Sequence, residues 1–169
     1  MVVEDGTGLI DANSYVDIAY ADDYFSTRGQ TEWVDLEISQ KEILLVKATD
    51  YIDSAFKWKG TKKSNEQGLN FPRINLVNDD GFTVKDIPLA LKKAVLECAY
   101  LIKDGTELFQ STNENGAVTS EHIGSLSFTY DISQKVKDTT LYESINLRLR
   151  GLYEDTTKTR IYTGNVQRI

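Results

Sequence analysis

Between Ser39 and Trp58 runs the longest stretch of helical periodicity in the chain, SQKEILLVKATDYIDSAFKW. Leu44, Leu45, Ala48, Tyr51, Ile52, Ala55 and Trp58 recur in steps of three and four, which places them on one broad face of a helix. Lys47, Asp50, Ser54 and Lys57 form a narrow polar stripe opposite. Ile43 lies on that stripe and Val46 borders it, so the first half of the helix is apolar almost all round. A helix of that kind is covered on more than one side. Ser39 and Glu42, three residues apart, predict a capping box at its start. The rest of the chain has to fold around this element. It is either a central core helix, or a core helix whose Ile43/Val46 edge also meets a second subunit.

The other elements are shorter. Residues 1–16 read as an extended arm, loosened by Gly6 and Gly8 and ending in the β-favouring Tyr15-Val16. The Gly-Thr-Gly of the arm lacks the preceding strand, third glycine and following helix of a dinucleotide loop, and reads as linker. Asp17 to Gly29 predicts a helix capped by Asp17, with Ile18, Ala21, Tyr24 and Phe25 buried. Asp22 and Asp23 read there as a solvated face rather than a metal site, because adjacent carboxylates on a helix point apart. Trp33 and Leu36 are expected to lie over the start of the long helix. Residues 59–87 form a long connection with a turn at Asn78-Asp79-Asp80-Gly81, pinned by Leu69, Phe71 and Pro72 and leaving Arg73 free to pair with a carboxylate. The turn lacks the alternating ligands and final Glu of a calcium loop. A helix over Pro88–Lys103 buries Leu91, Ala94, Val95, Cys98, Leu101 and Ile102. The period then changes to two, predicting a hairpin at about 118–130 around Gly124-Ser125. Leu141–Tyr153 predicts a last helix, and Thr156–Ile169 a β-prone tail. The expected fold class is mainly α: a small bundle of about four helices with one hairpin, a long inter-helix loop and extended termini. Residues 1–155 read as one domain and residues 156–169 as an extended tail, either disordered or added as a strand to a partner's sheet.

Charge excludes several functions. The chain carries −7 overall, and residues 1–50 hold 11 acidic against 3 basic side chains. Gripping a nucleic-acid backbone needs clustered Lys and Arg, and the bulk of this chain has the wrong sign. The tail alone is mildly basic, with Lys158, Arg160 and Arg168 and no acid after Asp155. One histidine, His122, and one cysteine, Cys98, supply no catalytic triad and no metal set. We therefore expect neither an enzyme nor a cofactor. Cys98 reads as a core residue in a reducing compartment. No apolar run approaches the roughly 20 residues of a membrane span, and the acidic MVVEDGTGL does not read as a signal peptide.

Several phrases, taken in order, are more specific than any one of them. They are VEDGTGL, ANSYV, ADDYF with Arg28-Gly29, KATDYID, Trp58-Lys59-Gly60-Thr61, LNFPR, and Ile87-Pro88 before a Lys/Ala-rich helix with Glu97 and Ala99. This order resembles a family of tailed-bacteriophage head–tail connector, or adaptor, proteins, whose members are often catalogued as DnaT-like single-stranded-DNA-binding proteins. The resemblance covers residues 3–103 best. Phe71 stands where the family usually has tryptophan, and the tail after Tyr153 has no match.

The resemblance implies a structural subunit that assembles as a ring of about twelve copies under the portal protein. Such a ring extends the DNA channel without binding DNA specifically and joins it to the next neck or tail-completion protein. The expected location is the virion neck, after synthesis in the host cytoplasm. In such connectors the C-terminal segment docks on the portal, which assigns that role to Lys158, Arg160, Ile161, Tyr162, Val166, Arg168 and Ile169. For subunit contacts we expect Ile43, Val46, Phe71, Arg73 and Phe82. Asp22, Asp23, Glu32 and Asp35 are candidates for an acidic channel wall that keeps a polyanion mobile. The alternative is a single-stranded-DNA-binding replication protein, which needs aromatic platforms among cations. Phe56-Lys57-Trp58-Lys59-Gly60-Thr61-Lys62-Lys63 is its best local candidate, although Trp58 also falls on the core face.

Overall fold

The computed structural model describes residues 1–106, 120–123, 126–129 and 143–154. Helix α1 spans Ile18–Ser26, α2 Thr31–Val34, α3 Ile38–Ala55, α4 Leu89–Lys103 and α5 Glu143–Leu149. The strands are β1 (Thr61–Lys62), β2 (Arg73–Ile74), β3 (Ser120–Ile123) and β4 (Leu126–Thr129). The two strand pairs are antiparallel, β1 with β2 and β3 with β4. The fold is thus mainly helical with a small hairpin, as the periodicity predicts. In the hairpin Ile123 pairs with Leu126 and Ser120 with Thr129. Its predicted turn at Gly124-Ser125, Leu141 of the last predicted helix, and the whole tail 156–169 lie outside the described residues.

α3 is the axis. It packs on α4, which packs in turn on α5, while α1 lies against α2 and α3. Leu45, Ala48, Tyr51 and Ile52 are fully covered, and Leu91, Ala94, Val95, Leu96, Cys98 and Ala99 cover them from α4. Two expectations for α3 need correction. Its capping box is built by Glu37 and Gln40, not by Ser39 and Glu42, because the helix begins one residue before the serine. The helix also ends at Ala55. Phe56 is extended at φ −120°, ψ 143°, so Trp58 reaches the core from a strand-like segment that pairs with Tyr153. Ile43 is 54% exposed in the single chain and Val46 is half-buried, so the described residues do not cover that edge fully.

α1 begins as predicted: the Asp17 side chain accepts the Tyr20 N–H at 2.7 Å. α2 is an added single turn, and Trp33 anchors it with no exposed surface. The indole stacks on Phe25 with ring centroids 4.4 Å apart. Its Nε1 donates to Asp22 Oδ1 at 2.9 Å, and Lys41 Nζ lies 3.0 Å from the same oxygen. Asp22 is therefore not part of a merely solvated face. It is the shared acceptor that lets Lys41 sit buried on α3.

The arm and the long connection are the largest departures from the sequence reading. Residues 1–16 form a packed strap rather than a loose linker. Glu4 is buried, and its carboxylate accepts the N–H groups of Gly6, Gly8 and Leu9 at 2.8–2.9 Å. The glycine nest is thus closed by an anion of its own chain. Gly6 and Gly8 both have φ near +90°, a region open to glycine and strained for other residues. The connection after α3 is ordered by β1–β2 and then by a second ribbon. There Val84 N donates to Leu76 O, Val77 bridges Thr83, and Asn78 N donates to Phe82 O. The predicted turn at 78–81 is its tip, and Lys59 Nζ holds it through Asp79 at 2.9 Å.

Candidate interaction surface

The phrases that carry the family resemblance come from distant parts of the chain, and four of them meet at one point. Asp53 of KATDYID accepts the hydroxyl of Tyr15 from ANSYV. The two carboxylate oxygens of Asp53 also take the Asn70 N–H of LNFPR, at 2.9 and 3.2 Å. The Asp53 carbonyl accepts Trp58 Nε1 at 3.2 Å and Asn70 Nδ2 at 3.0 Å. Phe71 N then donates to the Tyr15 oxygen at 3.0 Å. Around this knot the rings of Tyr15 and Trp58 meet Phe71 edge-on, at 6.2 and 5.0 Å. A second link joins ADDYF to α4 and α5, where Glu97 accepts the Tyr24 hydroxyl at 2.7 Å and pairs with Arg148 at 2.9 Å.

The ionisation of these groups follows from burial. The Tyr15 hydroxyl is held far above its usual range by desolvation and by the neighbouring Asp53 charge. Asp53 itself is raised, burial outweighing the hydrogen bonds from Tyr15 and Asn70. Tyr24 is pushed up to about 12 by desolvation and by Glu97. Such shifts mark functional sites often, but structural networks produce them too, and here every group is occupied in holding the fold together. Burial also pushes the Cys98 thiol up to about 12. In the native protein it should therefore resist a thiol reagent at pH 8 and react only when denaturant is added. Rapid native labelling, followed by absorbance, would refute that burial.

Among the described residues no three His, Cys, Asp or Glu side chains are placed to hold a metal ion. No described helix is long and apolar enough to cross a membrane.

Across residues 1–169 the chain matches the family model described as "Putative DnaT-like ssDNA binding protein". The chain belongs to this family. No curated protein and no solved structure matches it. The match extends beyond residues 3–103, where the resemblance is most visible, to the hairpin, the last helix and the tail. Within the described residues, the family phrases build the knot rather than an exposed chemical site.

The residues expected at contacts fall into three groups. Ile43 and Phe82 stand out in solvent, Phe82 at 71% exposure, and Val46 is half-covered. Phe71 is buried in the core, and Arg73 is half-buried with its guanidinium turned to the chain's own backbone. Phe71 is a core ring because Tyr15 and Asp53 hold the loop's backbone down on it. Arg73 is not waiting for a carboxylate. Its Nε and Nη2 donate to the carbonyls of Lys59 and Gly60 at 2.6 and 2.8 Å, and its Nη1 to that of Asn70 at 3.1 Å. Of the acidic candidates, Asp22 is engaged as above and Glu32 pairs with Lys103 at 2.8 Å, while Asp23 and Asp35 are exposed. The docking-tail residues Lys158, Arg160, Ile161, Tyr162, Val166, Arg168 and Ile169 lie outside the described residues.

Periodicity had no means of marking the exposed Ile38, Ile74 and Val77, since none belongs to a regular apolar face. With Val34, Ile43 and Phe82 they leave large apolar side chains exposed on α2 and α3 and on β2 with the ribbon that follows it; Ile10, Leu89 and Leu147 are exposed elsewhere. The stretch from Phe56 to Lys63 offers no stacking platform of its own. Phe56 and Trp58 are buried against each other at 5.3 Å, Lys57 pairs with Glu154, and Lys63 Nζ donates to Gly6 O.

Proposed function

We propose that this chain is a structural adaptor subunit of a tailed bacteriophage, forming a ring of about twelve copies beneath the portal. The ring extends the channel through which DNA passes and receives the next neck or tail-completion protein. The observation that carries this reading is the set of large apolar side chains left exposed on two unlike elements of one chain. A ring needs heterologous contacts, in which one face of a subunit meets a different face of its neighbour. Large apolar side chains left uncovered on two separate elements fit that need. The acidic first third, with Asp23 exposed, suits a wall along which a polyanion slides. The tail, Thr156–Ile169, would dock on the portal by strand addition.

The family's description favours a second reading, single-stranded-DNA binding. The two separate in one set of measurements. As an adaptor, the protein should cosediment with purified portal particles, and deletion of residues 156–169 should abolish this. It should show no appreciable affinity for oligonucleotides at physiological salt. Tight oligonucleotide binding that falls steeply as salt rises, with no association with portal, would replace the adaptor by the second reading.

A further inference from the structure

We propose that the link between α2 and α3 of one copy docks into the groove formed by Lys63, Arg73 and Lys85 of a second copy. This rests on the ring reading and supplies its missing contact. The link, Val34-Asp35-Leu36-Glu37-Ile38, alternates apolar and acidic residues. Val34 is 45% and Ile38 66% exposed, and Asp35 is exposed with no ion pair among the described residues. Both ends of the link are fixed. Buried Trp33 anchors α2, Lys41 Nζ donates to Val34 O at 3.1 Å, and Glu37 closes the capping box of α3. A segment already held in shape loses little freedom on docking.

The groove has a volume of about 220 Å³ and matches the link in both properties. Its apolar lining comes from Pro72, Ile74 and Val84, and its charge from Lys63, Arg73 and Lys85 against the single acid Asp86. Arg73 meets only backbone carbonyls, and Lys85 is exposed with no ion pair among the described residues. Lys85 is thus a cation left without an ion pair among the described residues, at the rim of a groove where a neighbour's Asp35 would supply one.

The occupant cannot be the chain's own link. The link precedes the N-terminal end of α3, whereas Arg73 ties the groove to residues 58–60 just past its C-terminal end. The 18 residues of α3 keep the two apart by about 27 Å. Each copy therefore offers its link to one neighbour and its groove to another. Repetition of such a contact closes a ring if the rotation allows it.

Charge reversal tests the contact on the full chain. Self-association, read by sedimentation velocity at low salt and by imaging on purified portal, should weaken at least about tenfold in both Asp35→Lys and Lys85→Glu. The double variant should recover most of the loss, because it exchanges the two charges across the contact and leaves them opposite in sign. Both sites are exposed, so melting temperatures should stay within a few degrees of the wild type. Rings that form normally in both single variants overturn this contact and leave the adaptor reading standing. So does weakening that the double variant fails to reverse. Normal rings with portal attachment lost only in Lys85→Glu would assign the groove to the portal instead. A wild-type chain that stays monomeric both alone and on portal overturns the contact and the ring together.

Discussion

Replacing Asp53 with alanine should destabilise the protein by about 3 kcal/mol, because it strips two buried donors of their acceptor. The Tyr15 hydroxyl and the Asn70 N–H both end on this carboxylate. The backbone carbonyl of residue 53 survives the change, so Trp58 and the Asn70 amide keep one bond each. A single domain has on the order of 5–15 kcal/mol of stability to lose, so the shift should be plain in urea unfolding. Tyr15→Phe is the milder companion. It leaves Asp53 bonded to Asn70 and strips one buried donor, the Phe71 N–H, instead of two, so it should cost about half as much. The sign of the pH dependence is fixed by the raised Asp53 pKa. Between the unfolded value of 3.8 and the higher native one, the native carboxyl holds a proton that the unfolded chain has released. The contribution of Asp53 therefore falls as pH climbs through that window, and the gap between wild type and Asp53→Ala should narrow. A loss under about 1 kcal/mol, at the level of an ordinary exposed hydrogen bond, or a gap that widens with pH, would mean that the knot does not hold the loop.

Trp33→Ala should cost about 4 kcal/mol, in the middle of the range for emptying a core aromatic site. The indole has no exposed surface, stacks on Phe25, and donates to the Asp22 oxygen that also serves Lys41. Its loss also removes the reason for α2 to be helical. A four-residue turn lies far below the length at which a helix holds itself together. Hydrogen exchange should therefore accelerate across residues 27–37 while α4 stays protected. Trp33→Phe keeps the stacking but not the N–H donor, and should lose markedly less. Because α2 and its exit present the proposed docking link, the alanine variant should also associate poorly with itself. Uniform acceleration across α4 would show instead that Trp33 supports the whole core.

The sequence made the helices legible and hid what joins them. Steps of three and four locate α3 and α4 because each gathers its buried residues on one broad face. The same rule overshot at Trp58, which keeps helical spacing although the chain has already become extended at Phe56. The cap of α3 was misplaced because Ser39/Glu42 and Glu37/Gln40 both carry the required spacing, and only the fold decides which pair starts the helix. Glu4 and Lys41 could not be recognised as buried. A charged side chain enters a core only when its partners are assembled, and these partners come from other segments. Phe71 was read as a contact residue for a related reason. An aromatic in a loop looks uncovered until Tyr15, 56 residues earlier, binds its backbone. The exposed apolar residues of the proposed contacts follow no period, since they answer to a neighbour's shape rather than to the helix they stand on.

The strap formed by the first 16 residues also bears on synthesis. Tyr15 grips Phe71 across 56 residues of chain, and Lys63 reaches back 57 to Gly6. The strap therefore cannot close its bonds to Phe71 and Lys63 until roughly the first seventy residues of this sequence have left the ribosome exit tunnel. Until then Tyr15 and Val16 travel as uncovered apolar surface on a nascent chain. A truncation that stops at α3 should consequently be captured by holding chaperones far more readily than one that runs past Arg73.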